Sequence, residues 1–190
     1  MRNEPAADLS PLTIQIRGGV GSGPTAPAAF DAALRNAGVG NYSLMRLSAV
    51  IPRGSSVIEP SRSEVLVDGE WGDRLYVALA EARAATPGDE AWAGIAWAQE
   101  PASGRGLFAE HEGTSRERVE ADLDASLASI ADAREIRFGH RQMRVVGARC
   151  EREPVCALVV AIYQADPWRG ASRPTEVEMA RTNPVWRGGM

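Results

Sequence analysis

The sequence predicts a layered α+β (or α/β) sandwich, with two sheets back to back and helices outside. Three observations carry this. Strand-patterned stretches outnumber helical ones along the 190 residues. Only two segments carry a good amphipathic helical stripe, and they lie far apart in sequence. Residues 155–163 form nine consecutive apolar residues, which fits a central strand covered on both faces.

Taken in order, residues 1–11 are polar, contain Pro5 and Pro11, and are expected to form a loose arm. Residues 12–16 alternate apolar and polar, as a half-buried strand does. The glycine-rich stretch that follows imitates a dinucleotide fingerprint at Gly21, Gly23 and Ala26. Pro24 interrupts it, and no acidic residue ends a second strand downstream, so the glycines read as allowing tight turns and close backbone approach. A first helix is expected from Thr25 as N-cap, through Pro27, to a left-handed stop at Gly38. Phe30, Leu34 and Ala37 mark its core stripe, and Asp31 borders it.

Residues 44–51 read as one strand ended by Pro52. Strands over 74–83 and 90–99 flank a turn at Thr86, Pro87, Gly88 and Asp89, and put Trp92 and Trp97 on opposite faces of the second strand. A further strand is expected from Gly106 to Glu110, running on toward Gly113. Thr114 with Glu117 spells a capping box for a second helix. Val119, Leu123, Leu127 and Ile130 form its buried stripe, and Arg118 can pair with Asp122 outside. Residues 135–149 read as a strand. The tail after residue 164, rich in Pro, Arg and Trp, is expected to dock in part on a neighbour through Trp168 and Trp186, with partial disorder as the alternative.

The net charge of −4 argues against a nucleic-acid or anionic-membrane partner. All 21 basic side chains are arginine; without lysine there is no Schiff-base chemistry, hence no pyridoxal phosphate, and no Walker A loop. Cys150 and Cys156 are too few for a zinc site and read as buried small hydrophobes. No apolar run approaches a membrane span, so a cytoplasmic protein is expected. His111 and Glu112 flank Glu110, but adjacent strand residues point to opposite faces, so no metal is expected.

The order AAFDAAL (28–34), NAGVGNYSLMRLSAVIP (36–52) and AEHEG (109–113) resembles the pyruvoyl-dependent arginine decarboxylases over residues 12–164. The resemblance implies a four-layer αββα sandwich, and homotrimers with active sites between subunits; a dimer of trimers or mixing with a paralogue are further options. It also implies the family reaction, arginine to agmatine and CO2, an entry to polyamines. There a serine breaks its own backbone and becomes a pyruvoyl electron sink; Ala49 stands at that position, so pyruvoyl is expected to be absent here. Ser48 matches the residue left at the new C-terminus, and Ser43 stands where the family has an asparagine that assists processing. Glu110 matches the catalytic glutamate. Asp31 and Leu34 match positions lining the arginine pocket, with Gly40 and Asn41 beside them.

Three functions follow as expectations. The first is a repurposed enzyme that uses the amino-acid or guanidino pocket without pyruvoyl, with Glu110 as general acid or base. The others are a non-catalytic regulatory subunit and a decarboxylase precursor blocked at Ala49.

Overall fold

The computed structural model describes residues 11–61, 68–134 and 137–168. The arm at 1–10, Trp186 and the tail from residue 169 lie outside these residues. The chain runs β1 (Thr13–Ser22), α1 (Ala26–Ala37), β2 (Ser43–Arg46), β3 (Val50–Ile51), β4 (Ser56–Ile58) and β5 (Arg74–Ala84). It continues with β6 (Glu90–Gln99), β7 (Gly106–Gly113), α2 (Arg116–Ala133), β8 (Gln142–Arg149) and β9 (Val155–Asp166).

Sheet A has the order β2-β5-β9-β1-β4 and sheet B the order β3-β7-β6-β8. Their facing sides share a core that includes Ile16, Ala80, Ile95, Phe108, Val159 and Tyr163. Helix α1 covers the outer face of sheet A through Ala29, Ala33 and Ala37, against Leu79, Leu158 and Val160. Helix α2 covers sheet B through Val119, Leu123 and Leu127. These are the four αββα layers. Strand β9 lies at the middle of sheet A, and every residue from 155 to 163 is buried, as its apolar run requires.

Several local expectations hold. Thr25 Oγ accepts from the Ala28 N–H, and Gly38 ends α1 at φ 81°. The Asp89 N–H bonds the Thr86 oxygen with Gly88 at φ 97°, a type II turn with Pro87 pre-set ahead of it. Trp97 packs between the sheets and Trp92 under α2. Both cysteines are free and buried.

Others are corrected. Strand β1 continues through the glycines to Ser22, and this turns α1 on its axis. A Cβ at Gly19 would lie 2.1 Å from the Ala33 oxygen, and one at Gly21 would lie 2.3 Å from the Ala33 nitrogen. The helix therefore sits almost backbone to backbone on the strand. Only alanines fit that seam, so Phe30 and Leu34 move to its half-buried flanks.

Helix α2 is capped by Ser115, not Thr114; its Oγ accepts from the Arg118 N–H at 3.3 Å, which leaves Glu117 in the first turn without a reciprocal capping box. Strand β8 begins only at Gln142, where pairing with Trp97 starts; of the expected 135–149, residues 135 and 136 lie outside the described residues and 137–141 are not strand. Trp168 docks on its own chain, its Nε1 donating to the Gly72 oxygen at 3.0 Å while Arg74 lies 4.9 Å over the ring.

Candidate active site

The expected single strand over 44–51 is two strands in two sheets. Strand β2 runs parallel to β5, and its last tie is the Leu47 N–H to the Val77 oxygen at 2.8 Å. Strand β3 runs antiparallel to β7, and just before it the Phe108 N–H bonds the Ala49 oxygen at 3.0 Å. Between Leu47 and Ala49 the chain leaves the edge of sheet A and joins the edge of sheet B. The sequence hides this because both halves have strand composition and no Gly or Pro marks the break.

The crossover sets the geometry of one peptide bond. In a trans peptide the C=O and the following N–H point opposite ways. With the Ala49 oxygen held by β7, the Val50 N–H must turn back, and it reaches the Ser48 oxygen at 2.8 Å. This is a γ-turn centred on Ala49. The Val50 oxygen is held in turn by the Tyr163 hydroxyl at 2.9 Å. Phe108 and Tyr163 meet edge to face, with ring centroids 6.2 Å apart.

Glu110 lies two residues beyond Phe108 on the same face of β7, so its carboxylate belongs to this space. Burial pushes its carboxyl above the usual range; Arg46 pulls it back in part, and Glu112 pushes it up. Tyr163 is pushed up to about 12, chiefly by burial and then by the charge of Glu110. The pair thus sets a carboxyl that burial makes a weaker acid beside a phenol that stays protonated. Arg46 Nη2 bonds Glu81 Oε2 at 3.3 Å, and Glu81 also holds Arg83, which stacks 4.3 Å from the Phe30 ring of α1. His111, on the opposite face, meets Ser126 of α2 at 2.7 Å.

The other expected site residues gather elsewhere. Leu34 packs on the outer face of sheet A, whereas Phe108 and Tyr163 pack between the sheets. Asp31 is exposed on α1 and pairs with Arg35. Gly40 and Asn41 line a cavity of about 380 Å³ with Arg35, Tyr42 and Trp71. Ser43 opens β2 at the end away from Ala49, its hydroxyl bonding the Gly72 oxygen at 3.2 Å. One chain therefore presents two groups: Ser48, Ala49 and Glu110 on one side, and Asp31, Leu34, Gly40 and Asn41 on the other.

Sequence reading missed Tyr163, Arg46 and Arg35. For Tyr163 a signal existed, since a phenol closing an otherwise apolar run needs a partner for its hydroxyl.

The family profile described as pyruvoyl-dependent arginine decarboxylase matches residues 13–166. A pyruvoyl-dependent arginine decarboxylase of Halobacterium salinarum is 35% identical over 158 residues, covering 81% of this chain and 96% of that protein. Shorter matches of 48 residues, 25% of this chain, reach 38% identity with the Methanothermobacter thermautotrophicus enzyme of that name and 40% with that of Methanocaldococcus jannaschii. They cover 32% and 29% of those proteins.

Proposed function

The chain belongs to the pyruvoyl-dependent arginine decarboxylase family, and from that premise we propose that it is a repurposed enzyme of an amino-acid or guanidino ligand. It works without pyruvoyl, with Glu110 as its general acid or base. The family's prosthetic group does not fit residue 49: the side chain there is a methyl, with no oxygen to attack the Ser48 carbonyl. The reaction is therefore one that needs no electron sink.

The observation that supports this most is the raised carboxyl of Glu110 beside the clamped crossover. A carboxylic acid weakened by burial holds its proton more firmly than an exposed one, and such a group can deliver a proton to a bound ligand and take it back. Tyr163 stays neutral and fixes the Val50 carbonyl, so no second negative charge forms beside Glu110. Arg46 limits how far the acid is weakened.

The second group, around Asp31 and Gly40, would complete the site from a neighbouring subunit of a homotrimer. Met45, Leu47 and Val50, 39–42% exposed along the crossover edge, offer the apolar surface such contact needs. The same edge favours, as a second reading, a non-catalytic subunit that assembles with a processed paralogue.

Two measurements separate the readings. Intact mass is expected to give one species of about 20.3 kDa; two fragments would restore the decarboxylase. Turnover of amino-acid and guanidino compounds is expected to fall about 10²–10⁴-fold in Glu110→Gln. An unchanged rate would leave the non-catalytic subunit, whose mark is a mixed trimer by native mass.

A further inference from the structure

Trp168 is anchored beside a cavity. Its Nε1 donates to the Gly72 oxygen at 3.0 Å, and Arg74 lies 4.9 Å over its ring. The Pro167 oxygen accepts from Arg74 Nη2 at 2.8 Å, so the chain is held at two successive residues here. The residues just before Gly72, namely Gly69, Glu70 and Trp71, line the cavity of about 380 Å³ that Gly40 and Asn41 share. That volume is large enough for one side chain or a small molecule.

The cavity suits a cation with a flat face. Trp71 is 83% exposed, the most exposed large apolar side chain among the described residues. An indole left in water at a cavity wall can take a guanidinium on its ring, as Trp168 already takes Arg74. Acidic groups stand close by. Glu70 lines the wall, its N–H donates to Asp73 at 2.8 Å, and burial, then the charges of Asp73 and Asp68, push the Tyr42 phenol up. Of the described lining residues only Arg35 is basic, and Asp31 holds it at 2.9 Å.

The sequence that follows Trp168 complements this wall. Arg169-Gly170-Ala171-Ser172-Arg173 carries two guanidiniums and no acid, and lies beyond residue 166, where the family match ends. Five residues span at most about 17 Å, so both arginines stay within reach of residues 69–71. Tethered at Trp168, they meet the cavity at an effective concentration on the order of millimolar.

We propose that the chain's own segment 169–173 seats an arginine in this cavity, against Trp71 and Glu70, and so excludes a free guanidino ligand. The exclusion rests on the reading of Gly40 and Asn41 as part of a ligand site; the seat does not. A segment that fills the cavity about nine-tenths of the time weakens a competing ligand about tenfold.

The test compares the full-length protein with its double variant Arg169→Ser, Arg173→Ser, following the Trp71 indole N–H and the Gly40 and Asn41 amides by NMR. These signals are expected to differ between the two proteins before any ligand is added. L-Arginine is then expected to bind the variant about tenfold more tightly. Coincident signals, or an L-arginine affinity that the variant leaves unchanged or lowers, overturn the proposal. Signals that differ while L-arginine binds neither protein support the seat and overturn the ligand reading of the cavity instead. Native mass is expected to be the same for both proteins; a smaller assembly in the variant would show that the segment bridges two copies, and would overturn the seat on its own chain.

Discussion

The Tyr163 hydroxyl donates to the Val50 oxygen at 2.9 Å, tying the central strand of one sheet to the edge strand of the other. Tyr163→Phe leaves that oxygen without its partner and is expected to cost about 1–3 kcal/mol. Urea denaturation checks this as a lower midpoint at unchanged slope. A shift within error would mean that the crossover is held without this bond.

Restoring a hydroxyl at residue 49 tests what the γ-turn prepares. The Val50 N–H already faces the Ser48 oxygen, where negative charge would gather if that carbonyl were attacked. Ala49→Ser is expected to give fragments 1–48 and 49–190 by intact mass. An uncut variant would show that the turn alone does not make the bond cleavable.

Glu110 makes stability depend on pH in a definite sense. Its folded pKa is raised, so the contribution it makes to stability is present below the ordinary carboxylate value and is lost as pH rises through the raised one. Glu110→Gln removes that loss. The variant should match wild type in acid and exceed it above the raised value, read as Tm across pH. Tyr163 acts in the same sense much higher: its contribution holds below 10.0 and fades as pH rises through about 12.

The seam between β1 and α1 tolerates no added methyl. Gly21→Ala would put a carbon 2.3 Å from the Ala33 backbone nitrogen, so the helix must lift. A loss of about 3 kcal/mol is expected, at the upper end for overpacking. Calorimetry decides it. A near-neutral result would mean that α1 shifts freely on sheet A.

Local rules were legible where one residue settles the backbone. Thr25 and Gly38 bounded α1, Pro87 and Gly88 set the turn, and the apolar run found β9. Reading failed where tertiary contact decides between patterns that look alike. Phe30 and Leu34 spell a core stripe until the glycines opposite admit only alanine. Residues 44–51 spell one strand because alternation does not say which sheet each half joins.

The site was legible in part for the same reason. Glu110 and Ala49 came from motif, and their placement along one strand pair depends on β3 lying against β7. Tyr163 arrives from 113 residues away and leaves no local trace of its bond to Val50.

The crossover at 47–49 has three residues, fewer than the four at 52–55 or the five in each of the loops 85–89 and 150–154 that also pass between sheets. It ends on backbone ties at Leu47 and Ala49, neither of which uses a side chain. Leu47 and Ser48 are exposed, and Ala49 packs in part against the core between the sheets, so the exchange open at residue 49 is one of similar size. Length is fixed: one added residue would slip β3 against β7 and turn its side chains to the other face. This is a place where descent can exchange a serine for an alanine and keep the architecture, yet cannot insert or delete.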